Sequence, residues 1–334
     1  MNELEREIRR RIEAAGPLAF AEFMDLALYH PEHGYYSRRP PPIGRGGDYY
    51  TNAQLQPVFG RMIAQRIERW RRELGSPRDF TVVELGAGRG ETAQEVRAHL
   101  PNVKYIELEK RSGAMPERFV GVVVCNEFFD ALPVDVVRFD RGRPRERRVG
   151  LDQAKLAWVD AGPPRPQVEG YLRLFAAGAA ADQTIEVNLQ GLEWMGRIAG
   201  SLERGFVLTI DYGYEAVEIA GGRRFPNGSL MSYRSHTASE DVLADPGERD
   251  ITADVNFTAL AGHGERLGLE AEPLQTQAQF LLSIGEPDQF QFALAAASED
   301  EAQRHRLQLK TLLVGMGETF RVLVQSKRGL RPAA

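Results

Sequence analysis

Leu4, Ile8 and Ile12 recur every four residues and predict a first helix, which Gly16-Pro17 stops. A second apolar stretch over 18–29 ends before Pro31, and a loop rich in Pro, Gly and Tyr follows over 31–52. Phe59, Ile63, Ile67, Trp70 and Leu74 form the apolar stripe of a longer helix. Pro57 stands near its first turn and Gly75-Ser76-Pro77 ends it. At Phe80 the period changes. Phe80–Leu85 reads as a short apolar strand, closed by Gly86-Ala87-Gly88-Arg89-Gly90. The next helix places Ala93, Val96 and Leu100 on one face and stops at Pro101. Residues 103–108 read as a second strand. Residues 120–125 read as a third, so apolar that both its faces should be buried. This strand–helix–strand rhythm predicts a doubly wound α/β sheet.

Farther on, residues 134–161 read as antiparallel ribbon, with a turn at Asp140-Arg141-Gly142. A strand over 184–188 and a helix over 189–202 lead to a buried strand at 206–210, which ends in Asp211-Tyr212-Gly213. Residues 214–255 are polar, Gly-rich and weakly periodic, as expected of a lid or insertion. Residues 267–273, a helical stretch to about Leu313 and a final strand close the chain. That strand alternates Phe320, Val322 and Val324 with Arg321, Leu323 and Gln325. The expected organisation is a helical N-terminal extension with a covering loop (1–77) and a core (78–215) carrying a hairpin insertion at 134–183. A lid or insertion (216–254) and the C-terminal part of the core (255–327) complete it.

Composition narrows the function classes. At 334 residues the chain has room for about two structural units, and its 43% apolar content is enough for a large core. No apolar run approaches the roughly 18 residues of a membrane span. The net charge of −5 argues against a nucleic-acid binder that relies on bulk charge. The lone Cys125 excludes a disulfide framework and a zinc site built on several thiolates. Residues 1–11 lack the apolar core of a signal peptide and carry Glu3, Glu5 and Glu7, so a cytoplasmic location is expected.

The candidate chemistry begins at the glycine loop. A strand ending in glycines before a helix lets the backbone turn tightly and approach a ligand, and the helix N-terminus attracts anionic or polar groups. Glu107, 21 residues after Gly86, falls at the end of the next strand. A carboxylate there accepts hydrogen bonds from both ribose hydroxyls of an adenosine cofactor. Glu109 takes that place if the register slips. A nicotinamide site wants G-x-G-x-x-G, but Glu91 stands where the third glycine belongs. Gly90-Glu91-Thr92 lacks the lysine of a phosphate loop. Glu84 is unfavourable beside a pyrophosphate and suits the cationic end of S-adenosylmethionine.

Asn126-Glu127-Phe128-Phe129-Asp130-Ala131-Leu132-Pro133 follows the third strand. Ligands of open α/β sheets bind beyond the carboxyl ends of the strands, which is where the glycine loop, this segment and Asp211 should meet. Methyl transfer needs a nucleophile in line with a sulfonium methyl in a dry pocket. Phe128 or Phe129 would face the sulfonium, and Asn126 and Glu127 would orient a nitrogen nucleophile. A guanidinium stays protonated in water, so carboxylates such as Glu127 with Asp130 or Asp211 help by accepting its N–H bonds. The bland alternative makes Asp130 a turn cap and both phenylalanines core.

These motifs resemble the MidA-like family of S-adenosylmethionine-dependent methyltransferases, whose mitochondrial members assist assembly of respiratory complex I. The resemblance runs over nearly the whole chain. It includes Gly16-Pro17 with Phe23-Met24, His30-Pro31-Glu32-His33-Gly34-Tyr35-Tyr36, Gly46-Gly47-Asp48-Tyr49-Tyr50-Thr51 and Phe59-Gly60. The glycine-loop and 126–133 segments are its most specific parts. Arg145-Glu146-Arg147-Arg148-Val149, Asp211-Tyr212-Gly213-Tyr214, Asp250-Ile251-Thr252 and Met316-Gly317-Glu318-Thr319-Phe320 complete it. The resemblance implies a class I methyltransferase fold: a mostly parallel Rossmann-like sheet with an antiparallel last strand. It implies cofactor contacts from Glu84, Gly86, Ala87, Gly88, Glu107 and Asn126, with Gly46, Gly47 and Asp48 closing over the site. It implies arginine methylation of a protein substrate, a complex I subunit in the mitochondrial relatives, and admits a homodimer. Catalysis would rest on Asn126, Glu127 and Asp211.

Three departures stand out. The 107–126 stretch is about half the usual length, so a strand and helix are expected to be missing or shrunken. Asp254 and Asn256 stand where the family has His and Asp, and Ala87 replaces a proline. The shortened stretch also motivates a rival reading, a non-catalytic assembly protein that keeps the fold; a nicotinamide oxidoreductase is a more distant one. His30-Pro31-Glu32-His33 reads as a turn with no metal, because Pro31 breaks any helix that would align the rings. The arginines between 138 and 148 read as a solvated hairpin, with docking of an acidic partner as the alternative. Arg234 and His236 are expected in the lid, touching substrate or tying the loop down.

Overall fold

A computed structural model of the chain describes residues 1–37, 52, 55–153, 155–220, 225–234 and 236–328. The chain forms two compact units. One comprises Met1–Tyr50, Phe129–Glu193 and Tyr214–Ala259; the other comprises Thr51–Phe128, Trp194–Gly213 and Leu260–Ala334.

The second unit is built on the predicted sheet. Its five longest strands are β1 (Phe80–Leu85), β2 (Lys104–Leu108), β3 (Phe119–Asn126), β4 (Leu202–Tyr214) and β5 (Phe320–Lys327). They lie in the order β5-β4-β3-β1-β2. β1 runs parallel to β2 and β3, β3 runs parallel to β4, and β5 is antiparallel to β4. This is the expected mostly parallel sheet with an antiparallel last strand. The crossover from β2 to β3 contains no helix or strand between Leu108 and Phe119, so β2 closes the sheet at that edge. Only Leu108 of this strand is buried, and Lys104 and Glu107 are exposed, which suits a terminal strand.

The helix Val58–Glu73 covers this sheet with the predicted stripe, in which Phe59, Ile63, Ile67 and Trp70 are fully buried. Trp70 stacks on Phe206 of β4, ring centroids 4.8 Å apart. The alternation expected along β5 does not hold, because Leu323 and Gln325 are as buried as Phe320 and Val322. A strand covered on both faces loses its polar side, and Gln325 occupies it without water.

The first unit holds an antiparallel sheet in the order Leu18–Ala19, Arg143–Asp152, Asp135–Asp140, Thr184–Val187, with Lys155–Asp160 also paired to Arg143–Asp152. The predicted ribbon is therefore the middle of a sheet. Arg138, Arg141, Arg143 and Arg145 are solvated, whereas Glu146 is buried and joins Asp135 on the Arg165 guanidinium at 2.9 and 2.6 Å. The 214–255 segment differs from its expectation. It forms a three-stranded sheet of Met231–Arg234, Thr237–Ser239 and Asp250–Thr252. Val242, Leu243, Ile251 and Ala253 join a core with Leu4, Ile8, Phe20 and Phe23. Strands this short carry too few alternations to register as a period. Arg234 pairs with Asp245 at 3.5 Å, tying this segment to itself. His30 Nδ1 accepts the N–H groups of Glu32 and His33, which makes the predicted turn.

Two glycines set how closely the central strands pack. Gly121 on β3 lies opposite Thr81 on β1 and Gly205 on β4. A Cβ at Gly121 would overlap the Thr81 carbonyl oxygen. One at Gly205, whose φ is +147°, would overlap the Gly121 carbonyl. Gly121→Ala and Gly205→Ala are each expected to cost roughly 2 kcal/mol or more, read as a lower midpoint in urea at unchanged slope. Gly142→Ala, at an exposed turn with open space around it but with φ +78°, controls for the cost of positive φ without overlap.

Candidate active site

The glycine loop leaves β1 at Leu85. Gly86, Gly88 and Gly90 all have left-handed backbone, with φ of 73°, 59° and 74°, which glycine adopts without a steric cost. The Gly86 N–H donates to the Leu108 carbonyl at 2.8 Å, tying the loop to the end of β2. Gly90 caps the helix Glu91–His99 and donates to the Ala87 carbonyl. A Cβ on Gly90 would stand 2.8 Å from Glu107 Oε2, and one on Gly86 would touch the Phe128 ring at 3.1 Å, whereas Gly88 faces open space. The loop is therefore a backbone cradle pressed between a carboxylate and an aromatic ring.

Carboxylates gather around it. Glu84 and Glu107 are register partners on β1 and β2. Glu107 is partly exposed and pairs with Arg97 at 2.5 Å. Glu109 Oε1 accepts the Gly88 N–H at 2.8 Å. Both register choices thus reach the loop, Glu107 at Gly90 and Glu109 at Gly88. Glu84 is almost fully buried and accepts the Tyr105 hydroxyl at 2.8 Å. Burial pushes its pKa up to about 8, and Glu107, Glu109 and Glu91 add to the rise. Without a cation beside it, Glu84 is mostly protonated at neutral pH.

The second cluster stands at the end of β3. Asn126 is the last residue of that strand, and Glu127 turns out of the sheet with φ +52°. The Glu127 N–H donates to the Ile210 carbonyl at 2.9 Å. The Asn126 side-chain amide donates to Glu127 Oε1 at 3.0 Å. Asp211 is fully buried. Its Oδ2 accepts the Phe128 N–H at 3.2 Å and its Oδ1 accepts the Tyr212 N–H at 2.9 Å. It therefore bears on the cluster through the backbone of the turn, whereas the expectation had it sharing the nucleophile.

The structure brings together Glu84, Gly86, Ala87, Gly88 and Glu107 at the loop, and Asn126, Glu127 and Asp211 at the strand ends. Phe128 links the two groups: it sits on Gly86 and meets Trp194 edge-to-face at 5.2 Å. Phe129 is fully buried, and its carbonyl accepts the Asn188 amide at 3.0 Å. Gly46, Gly47 and Asp48 lie outside the described residues. Sequence reasoning missed Asn52. It is fully buried, its N–H donates to Glu127 Oε1 at 2.9 Å, and its side chain donates to Asn126 Oδ1 at 3.3 Å. A lone asparagine in a loop carries no spacing signal that would have found it.

A cradle that only glycines can form, with Glu107 beside it, fits the ribose end of an adenosine cofactor. The acidic surroundings of the loop favour a cofactor with a cationic end over one with a pyrophosphate. The comparisons agree. A crystal structure from Burkholderia thailandensis bound to S-adenosyl-homocysteine is 28% identical and superposes with a TM-score of 0.83, covering 99% of this chain and 93% of its own. The human protein named protein arginine methyltransferase NDUFAF7, mitochondrial, is 26% identical, covering 94% of this chain and 81% of its own length. Its Drosophila melanogaster homolog, named in the same way, is 27% identical over 79% of this chain and 70% of its own. The sequence model of a family described as S-adenosyl-L-methionine-dependent methyltransferase matches residues 96–274, more than half of the chain, and the chain belongs to that family.

Proposed function

We propose that the chain methylates arginine in a protein substrate, and that Asn126 and Glu127 hold the guanidinium. The observation that carries this reading is the arrangement at the end of β3. A carboxylate is fixed there by Asn126 and Asn52 on a left-handed turn, beside the ring that packs on the glycine loop. The names of the human and fly relatives support the choice of arginine.

S-adenosylmethionine, when bound, supplies an electrophilic methyl on a sulfonium centre. The chain's own residues do the rest by positioning. Gly86, Gly88 and Gly90 let the backbone close on the cofactor, and Glu107 accepts its ribose hydroxyls. Glu84 gives up its proton when a positive charge arrives, because an opposite charge favours the ionised carboxylate. Glu127 would accept guanidinium N–H bonds and align one nitrogen for attack, and the proton that nitrogen loses on methylation would pass to Glu127 and on to solvent. Asp211 keeps the turn in place. A subunit of a respiratory complex I type is the substrate we favour within this class.

The shortened crossover between β2 and β3 motivates a second reading, a partner-binding protein that keeps the fold without turnover. Tritiated S-adenosylmethionine, the purified chain and respiratory membranes from a strain lacking it separate the two. Label is expected in methylarginine after acid hydrolysis. Glu127→Gln should lower the turnover rate by about 10²–10³-fold while S-adenosyl-homocysteine still binds. Label on another amino acid would sink the arginine assignment. Bound cofactor without any transfer would favour the partner-binding reading.

The Glu84 assignment has a pH signature. The folded pKa of about 8 lies above the ordinary carboxylate value of 4.5. Its contribution to stability is therefore complete below pH 4.5 and is lost as pH rises to about 8. Glu84→Gln should flatten the fall of melting temperature across that window. Calorimetry at pH 7 in buffers of different ionisation enthalpy should show release of up to about one proton when S-adenosylmethionine binds the wild type, and none for Glu84→Gln. Equal proton release by both proteins would remove Glu84 from the cofactor site.

A further inference from the structure

Asn52 is fully buried, and its polar atoms are arranged in a definite order. Glu127 Oε1 is an acceptor, so the Asn126 group that meets it at 3.0 Å must be the amide nitrogen. That leaves Asn126 Oδ1 facing Asn52, which must present its own amide nitrogen, at 3.3 Å. The chain of donors and acceptors thus fixes the orientation of Asn52. Its backbone N–H is also committed, to Glu127 Oε1 at 2.9 Å. What remains is Oδ1. It is buried, and among the described residues it has no hydrogen-bond partner.

A buried acceptor with no donor costs free energy in the resting protein, and such an atom in a native site calls for an explanation. This one belongs to a residue bonded to both Asn126 and Glu127. A carboxylate and an amide oxygen in one hydrogen-bonded cluster suit a ligand made only of donors. A guanidinium is such a ligand, with five N–H groups and no acceptor. We infer that Asn52 is a nucleophile-binding residue: its Oδ1 accepts an N–H of the attacking guanidinium, while its two N–H donors hold Asn126 and Glu127 in place. This inference rests on the methyltransferase reading above. It adds a residue that neither the glycine loop nor the strand-end motif contains, and it gives the site a preference for cationic donors at the reacting centre.

A test that needs no identified substrate uses two cofactor analogues. S-adenosyl-homocysteine has a neutral thioether at the reacting centre. Sinefungin carries an amine there, which projects N–H donors toward the groups that would hold the nucleophile. The readout is the ratio of the two dissociation constants, measured calorimetrically on the full chain. The wild type is expected to prefer sinefungin, and Asn52→Leu should reduce that preference about tenfold. Asn52→Asp keeps an acceptor in the same place and should retain the preference. Melting temperatures of both variants show whether they fold. An unchanged ratio in Asn52→Leu overturns the proposal. So does an equal loss of preference in two folded variants, because Asn52 would then act only by packing. If the wild type binds neither analogue, the cofactor reading itself fails and this inference with it. If both bind and only the ratio stays flat, the cofactor reading stands and the role of Asn52 falls.

Discussion

The turn that follows β3 hangs on a carboxylate that no water reaches. Asp211 is fully buried at the end of β4, and each of its oxygens accepts a backbone N–H, one from Phe128 and one from Tyr212. A buried carboxylate without partners would be costly, and backbone donors are what make the charge tolerable. They also fix the geometry. Phe128 follows a residue at φ +52°, a conformation that non-glycine residues seldom adopt, and the Asp211 bond holds the chain just beyond it. Replacing Asp211 by an apolar side chain would remove the acceptor of the buried Phe128 N–H and loosen the turn that carries Glu127. The position of Glu127 is only as fixed as Asp211 holds the turn.

The glycine loop has the opposite electrostatic condition. Glu107, Glu109 and Glu91 add to the cost of ionising the buried Glu84, and Glu107 adds to that of Glu109. Arg97 and the Gly88 N–H offset part of it. What is left favours a ligand that brings positive charge. A pyrophosphate would add to the repulsion, and a cationic cofactor relieves it. One carboxylate cluster thus discriminates between two classes of adenosine cofactor that glycine spacing alone separates weakly.

The legible parts of this molecule were those where one residue type has few physical uses. The glycine loop, the period change at Phe80 and the apolar run of β3 all point to backbone geometry or to burial, and the sheet follows from them. The arrangement around Asn126 and Glu127 was legible as to place, because strand ends in open sheets face the ligand. Other features were hidden for stateable reasons. Gln325 is a polar residue on a strand buried on both faces, so alternation misled. Ile251 joins a core from a strand of three residues, and Val242, Leu243 and Ala253 join it from turn and loop positions, so no period shows. The inward role of Glu146 was masked by the arginines around it in sequence. Asn52 depends on long-range contacts with residues 126 and 127, and a single loop asparagine cannot announce those.

The departures from the family pattern fall where the fold can absorb them. Asn256 accepts the Ala259 N–H through Oδ1 at 3.1 Å at the start of the helix Phe257–Arg266, the work that an aspartate does equally well as a cap. Its amide adds a donor, used on the Phe175 carbonyl at 3.1 Å, which an ionised aspartate could not supply. Ala87 keeps the one feature its position needs, a carbonyl that accepts the Gly90 N–H. The short crossover leaves β2 as an edge, and that strand carries Lys104 and Glu107 outward, as an unpaired edge requires. The Glu107 side chain on this edge is held by Arg97 and lies against Gly90. The short crossover thus leaves β2 at the edge, while β1, β3 and β4 present Glu84, Asn126 and Asp211 near their carboxyl ends.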